Sequence, residues 1–178
     1  MRTKLQHVFE DVSWAGRHGQ YPRSGPGSTL ERTETLRAAL PGIFDRFAVR
    51  RFLDAPCGDW FWMQHVDLTG IDYIGGDISE SVVNDNKAQF NADNVSFRHL
   101  DITSDPLPAA DIMMCRDCLF HLKWFLRWDV FRNFLKADIP YLMMTISHVP
   151  VNERLHNNGN YKAFNPLKPP FNFPEPLE

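Results

Sequence analysis

Four short apolar runs in this 178-residue sequence end in charged residues, and those endings are where chemistry can be sought. The first run leads into Asp54-Ala55-Pro56-Cys57-Gly58-Asp59-Trp60, the second into Gly76-Asp77-Ile78-Ser79, the third into Leu100-Asp101-Ile102 and the fourth into Cys115-Arg116-Asp117. An ionised carboxylate accepts both hydrogen bonds of a vicinal diol, and Asp77 follows Asp54 by 23 positions, close to the spacing at which an acid meets ribose hydroxyls. Asp101, with Ile78 and Ile102, supplies what an adenine ring needs: an acceptor for its amino group between apolar walls. A pyrophosphate asks instead for a glycine-rich loop of backbone N–H groups. Gly58 is the only glycine of the first turn, so a nucleotide-dependent oxidoreductase is disfavoured. Any one of the three acids can equally be a strand-end carboxylate capping the next helix; the set at consecutive strand ends is what points to a nucleoside-bearing ligand.

Other residues carry chemistry less specifically. His121, four positions after Asp117, and His148 are candidate proton acceptors, with a structural role open for His121. Cys115-Arg116-Asp117-Cys118 with His121 has the form of a metal or redox motif, but Cys57 is the only other thiol and a buried filler role for Cys115 is the simpler reading; no metal is expected. Trp14, Tyr21, Ser24 and Trp60 are candidates to wall a substrate pocket, with core packing equally open for the aromatics.

The elements that must position these groups follow from hydrophobic period. Short apolar runs at 52–55, 73–76, 95–97, 112–115 and 141–146 read as strands, and the segments 60–66, 79–90 and 122–136 as helices, the alternation of a parallel sheet built from βα units. In 122–136, Trp124, Phe125, Trp128, Phe131, Phe134 and Leu135 fall on one broad face that should pack on the sheet. Before the sheet, Ser24-Gly25-Pro26-Gly27-Ser28 reads as a tight loop in an irregular first stretch. Ser28 or Thr29 can cap a helix through Leu40 that Pro41-Gly42 ends or interrupts, a candidate lid helix. After Pro150 the chain turns polar and Pro-rich, with no further strand or helix expected. The expectation is one domain over 1–178: an N-terminal cap (1–48), a ligand-binding core (49–149) and a Pro-rich tail (150–178), whose last residues Leu177-Glu178 read as a truncation point or an appended scar.

Taken in order, Leu53-Asp54-Ala55-Pro56-Cys57-Gly58-Asp59, Tyr73-Ile74-Gly75-Gly76-Asp77-Ile78, Leu100-Asp101-Ile102 and Cys115-Arg116-Asp117-Cys118-Leu119-Phe120-His121-Leu122 resemble the motifs of class I, Rossmann-like S-adenosylmethionine-dependent methyltransferases over residues 50–149. The resemblance implies an α/β three-layer fold with a mostly parallel sheet, S-adenosylmethionine as cofactor, and methyl transfer to the oxygen or nitrogen of a small-molecule acceptor. It implies that Asp54 and Gly58 approach the amino-acid end of the cofactor, Asp77 the ribose, Asp101 and Ile102 the adenine, and Arg116 with Asp117 the region of the transferable methyl, with Pro56 and Ile78 also among the cofactor-binding residues. Asp117 and His121 are then the candidate catalytic residues. The alternative of another class is a cofactor-binding or scaffold module that keeps the fold without turnover.

Two departures stand out. Pro56 and Trp60 occupy the outer glycine places of the usual first motif, a variant resembling a small subgroup that also has a Ser-Gly-Pro-Gly-Ser loop upstream and a Pro-Phe segment near the end, here 24–28 and Pro170-Phe171. The full class resembles a seven-stranded sheet closed by a reversed hairpin, whereas five strands are legible here. The Pro-rich tail is ill suited to that hairpin, so the fifth strand is expected to be an exposed edge that would allow a homodimer.

Composition narrows the partners. Nineteen basic and 22 acidic residues leave a formal net charge of -3 with no basic run, so neither nucleic acid nor an acidic membrane has a special claim. No apolar stretch reaches the length of a membrane span and the first residues lack a signal-type core, so a cytoplasmic protein with three reduced cysteines is expected.

Overall fold

The computed structural model describes residues 3–11, 14–90 and 92–177. Five strands form its sheet: β1 (Arg51–Asp54), β2 (Asp72–Asp77), β3 (Val95–His99), β4 (Ile112–Cys115) and β5 (Tyr141–Met144). Their order is β3-β2-β1-β4-β5 and every neighbouring pair is parallel. Parallel strands covered on both faces must be apolar on both. In β1, Phe52 enters one core and Leu53 the other, each without exposed surface.

The first core packs Leu40 and Phe44 of α2 (Leu30–Arg46) and Val83 of α3 (Glu80–Gln89) against Phe52, Tyr73 and Phe97. The second packs Val130 and Phe131 of α4 (Trp124–Lys136) against Leu53, Met113 and Cys115. The result is three layers, α/β/α, in a Rossmann-like arrangement. Each fully buried side chain of Phe or Leu size contributes about 1.5–3 kcal/mol relative to exposure. Because the chain steps from β1 to β3 in one direction and to β4 and β5 in the other, a crevice opens beyond the carboxyl ends of β1 and β4, where Asp54 pairs with Gly75 on one side and Met114 on the other.

Several elements differ from the sequence reading. The helix expected over 60–66 is one 3-10 turn, Met63–His65; Trp60 ahead of it adopts φ 53°, a left-handed backbone position that an α-helix does not accommodate. Helix α2 runs through Pro41 to Arg46; Leu40 before it and Phe44 after it are both locked in the core, which holds the two halves in line despite the missing N–H. That packing also removes α2 from the lid role, since among its residues Arg32 lines the crevice. A helix not foreseen, α1 (Lys4–Asp11), borders the crevice instead through Leu5, Phe9 and Glu10. On α4, Phe131 is buried and Trp124, Trp128 and Phe134 are half-buried, but Phe125 and Leu135 face solvent at 59% and 74% exposure, so the apolar face is narrower than expected. Strand β5 stops at Met144, two residues short of the expected end, and just beyond it the Thr145 hydroxyl donates to Asp117.

Among its described residues the tail has neither strand nor helix, as expected, yet it is tightly held. Phe171 stacks on Trp128 with centroids 4.9 Å apart, and Phe164 packs on Phe171. Two buried asparagines replace a strand ladder: the Asn152 amide donates to the carbonyls of Asn165, Lys168 and Pro169, and the Asn165 amide donates to Val149. Among the described strands β5 pairs with β4 alone and forms the end of the sheet.

Candidate functional site

A crevice of about 640 Å³ lies over the carboxyl ends of β1, β2 and β4. Asp54 closes β1 with 1% of its surface exposed and accepts a 2.7 Å hydrogen bond from the Tyr73 hydroxyl. Burial pushes its carboxyl up to about 7, against the Tyr73 bond and the charge of Arg116, with Asp77 adding to the rise. Cys57, in the turn that follows, gives its N–H to the Gly76 carbonyl.

Gly58 next donates its N–H to Asp77 Oδ2 at 3.0 Å while its carbonyl accepts from Asn86 Nδ2 at 2.8 Å. Its φ of +57° and its neighbour require glycine: a Cβ here would sit 2.1 Å from Ser24 Oγ. Ser24 belongs to the upstream loop, which is stapled to the turn by its hydroxyl donating to Asp59 Oδ1 at 2.6 Å and accepting from the Asp59 N–H at 2.8 Å.

Asp77 closes β2. One oxygen accepts the Gly58 N–H and the other the Ser79 N–H at 2.9 Å, so each oxygen retains a lone pair toward the crevice, where 7% of the residue is exposed. Burial raises its pKa, opposed by those two N–H bonds and by Arg23. The cap of α3 is Ser79, whose side chain accepts from Val82. Asp101 holds Thr103 through one oxygen, accepting from both its N–H and its hydroxyl, and its other oxygen takes no hydrogen bond among the described residues. Ile78 and Ile102 line the same crevice, as does Pro56.

At the end of β4, Arg116 forms an ion pair with Asp117 at 3.0 Å, donates to the Gly27 carbonyl at 2.7 Å and lies over the Trp62 ring. The Asp117 N–H donates to Thr145 Oγ1, and that hydroxyl donates back to Asp117 Oδ1. His121 stands on the turn Leu119–His121, with Nδ1 2.9 Å from the Asn160 carbonyl and its ring 4.4 Å from Trp14. Burial lowers its pKa, opposed by the Asn160 carbonyl and Asp117.

The structure thus brings Asp54, Pro56, Gly58, Asp77, Ile78, Asp101, Ile102, Arg116, Asp117, His121, Trp14 and Ser24 to one crevice. Two expected pocket walls are elsewhere. Trp60 is 8% exposed and packs among Tyr73, Phe90 and Phe97, as the flat faces of that cluster demand. Tyr21 lies outside the crevice, its ring against Gly16 and its hydroxyl accepting from Gln20. His148 is likewise absent from the lining. Sequence reasoning missed Phe120, Thr145 and Tyr161, which line the crevice, and Asn86, which holds its glycine turn. Asn86 had a signal, a polar residue on the face of α3 that buries Val82 and Val83; Tyr161 had none, standing in a polar loop whose path only the tail packing sets. The Cys115 and Cys118 thiols are free, and a hydrogen bond with Cys118 together with burial pushes the Cys115 thiol up, leaving it a poor thiolate.

No protein-family model matches the chain, and no curated protein matches it in sequence. Solved structures are similar in fold. The PH0226 protein from Pyrococcus horikoshii OT3 superposes with a TM-score of 0.55 at 18% identity, over 74% of this chain and 65% of that one. DhpI in complex with SAH gives 0.51 at 16% identity, over 90% and 77%. Magnesium protoporphyrin IX methyltransferase from Synechocystis PCC 6803 with bound SAH gives 0.51 at 17%, over 74% and 60%. The chain therefore spans 65% and 60% of the length of the first and third of these proteins. Its fold is the Rossmann-like methyltransferase fold.

Proposed function

We propose that this chain binds S-adenosylmethionine and transfers its methyl group to an oxygen or nitrogen of a small-molecule acceptor. The observation that carries this is the set of three buried or nearly buried carboxylates, Asp54, Asp77 and Asp101, gathered from successive strand ends around one crevice at the reversal of the sheet. Two structures of the same fold contain S-adenosylhomocysteine, the demethylated product of that cofactor.

The residues fit such a group. The crevice volume is within the range of small-molecule sites. Asp77 has one free lone pair on each oxygen for the two ribose hydroxyls, and Asp101 has an unengaged oxygen beside Ile78 and Ile102 for an adenine amino group. Asp54 suits a cationic ammonium, whose charge would draw its carboxyl to the ionised form. The Gly58 N–H is spent on Asp77, so the turn has no glycine N–H to offer a pyrophosphate.

When bound, the cofactor supplies an electrophilic methyl on a cationic sulfur. The chain's own part is to hold the acceptor in line with that methyl and to receive a proton. Asp117, fixed by Arg116 and Thr145, borders the acceptor position. The Asn160 carbonyl can only accept, so Nδ1 of His121 carries the ring hydrogen and Nε2 keeps its lone pair for the acceptor's proton.

Calorimetric titration with S-adenosylmethionine, S-adenosylhomocysteine and NAD tests the reading. Micromolar binding of the first two alone is expected. Asp77→Asn should weaken that binding at least tenfold, from the roughly 1.5–3 kcal/mol of hydrogen bonds to a charged group. No binding by the folded chain, or unchanged affinity in the variant, would overturn it. Binding without transfer to any acceptor class would leave a cofactor-binding module on a sheet that ends at β5.

A further inference from the structure

The crevice residues that cofactor binding leaves unused gather around His121 from separate parts of the chain. Trp14 comes from the N-terminal segment, held where a Cβ on Gly25 would touch it at 3.0 Å. Phe120 comes from the turn after β4, its ring 4.6 Å from that of His121. Tyr161 comes from the Pro-rich tail, its ring 5.0 Å from Phe120 and 6.3 Å from His121. The tail is tied to this spot by backbone bonds, Gly159 N–H to the His121 carbonyl and Lys162 N–H to the Phe120 carbonyl. Rings from three segments therefore frame one imidazole.

The charge of this corner is balanced internally. Asp117 and Arg116 neutralise each other at 3.0 Å, and Asp117 spends its other oxygen on Thr145. An anionic acceptor would have to compete with Asp117 for Arg116 and a cationic one with Arg116 for Asp117, so either enters at a cost of desolvation. An ammonium must also shed a proton before it has a lone pair to attack with. A neutral hydroxyl enters with its lone pairs in place and a proton to give. His121 is arranged to take it: Nδ1 is committed to Asn160, Nε2 is bare, and the buried ring favours the neutral form. A phenolic hydroxyl, with a pKa of about 10, is far easier for a neutral imidazole to deprotonate than an aliphatic alcohol. Aromatic walls favour a ring by offset or edge contacts.

We propose that the methyl acceptor is an uncharged aromatic hydroxyl compound, seated among Trp14, Phe120 and Tyr161 with its hydroxyl on Nε2 of His121. This rests on the methyltransferase reading above. The acceptor oxygen takes the methyl carbon as the C–S bond of the cofactor breaks with its electron pair going to sulfur, and the hydroxyl proton passes to Nε2.

The test uses the whole chain and 2-naphthol. S-adenosylhomocysteine is titrated first, then 2-naphthol into the chain saturated with it, and finally methyl transfer from S-adenosylmethionine is followed with 2-naphthol, 4-nitrophenol, ethanolamine and benzoate. Saturable 2-naphthol binding is expected, with both phenols methylated in preference to the amine and the carboxylate. His121→Gln should lower kcat on 2-naphthol about 100-fold or more with KM little changed. The same variant should lose much less on 4-nitrophenol, whose more acidic hydroxyl depends less on a proton acceptor. Binding of S-adenosylhomocysteine without binding of 2-naphthol, or a preference for ethanolamine or benzoate, overturns the acceptor class and leaves the cofactor reading standing. Equal losses on the two phenols overturn the proton-acceptor role of His121. Failure of S-adenosylhomocysteine to bind overturns both readings together.

Discussion

Replacing Asp54 by Asn should change how stability depends on pH, and the structure sets both sign and size. The carboxyl is 1% exposed, and burial carries it from 3.8 to about 7 despite the Tyr73 hydrogen bond. Between those values the folded chain holds a proton that the unfolded chain has released. Stability from this group is therefore fully present below about pH 4, declines as pH rises and is gone above about pH 7. A shift of about three units corresponds to on the order of 4 kcal/mol. Asn is neutral throughout and still accepts from Tyr73, so the variant lacks this slope. The half-buried Asp111, held low by the Arg51 and Arg50 N–H groups, is present in both proteins and cancels in the difference, whereas the buried Asp77 carboxyl, raised likewise, is repelled by an ionised Asp54 and loses that repulsion in the variant. Urea unfolding of both proteins across about pH 4 to pH 8 measures that difference. It should move in favour of the variant by on the order of 4 kcal/mol as pH rises; a constant difference would mean that Asp54 is ionised throughout and that burial does not govern it.

Two further substitutions address other parts of the structure. Arg127 is fully buried, both its terminal amino groups lack hydrogen-bond partners among the described residues, burial brings it down to about 10, and it holds Nε to the Leu122 carbonyl and lies over the Phe164 ring. Relief of the desolvated charge should match or outweigh those two contacts, so Arg127→Met should leave urea stability unchanged or raise it by up to about 4 kcal/mol, and a loss of more than about 3 kcal/mol would show that the guanidinium has a strong partner. Gly58→Ala puts a Cβ 2.1 Å from Ser24 Oγ at a left-handed backbone position. Strain of about 1–3 kcal/mol and expulsion of the Ser24 loop should follow, read as lower thermal stability and at least tenfold weaker S-adenosylhomocysteine binding; wild-type values for both would sink the account of that turn.

How much was legible beforehand differs from element to element. The βα alternation was readable because strands buried on both faces are continuous apolar runs, and all five strands were located to within two residues at either end. Thr29 capped its helix as one of two candidates because a hydroxyl before an amphipathic run has few other uses. The 60–66 segment misled because its apolar residues serve an irregular turn, and Pro41 misled because local helix-breaking chemistry was outweighed by Leu40 and Phe44 in the core.

The sequence by itself determined the three-layer parallel sheet and the positions of Asp54, Asp77, Asp101, Arg116 and His121 at or near strand ends, because period and strand termini are local properties of the chain. Only the tertiary structure decided which aromatics face the crevice. Trp60 and Trp14 are alike as side chains, yet one is drawn into the Tyr73, Phe90 and Phe97 cluster while the other stands against His121. The role of the tail was decided there too. Its path is set by Phe164 and Phe171 on α4 and by the amides of Asn152 and Asn165, contacts between residues far apart in the chain that no local pattern encodes.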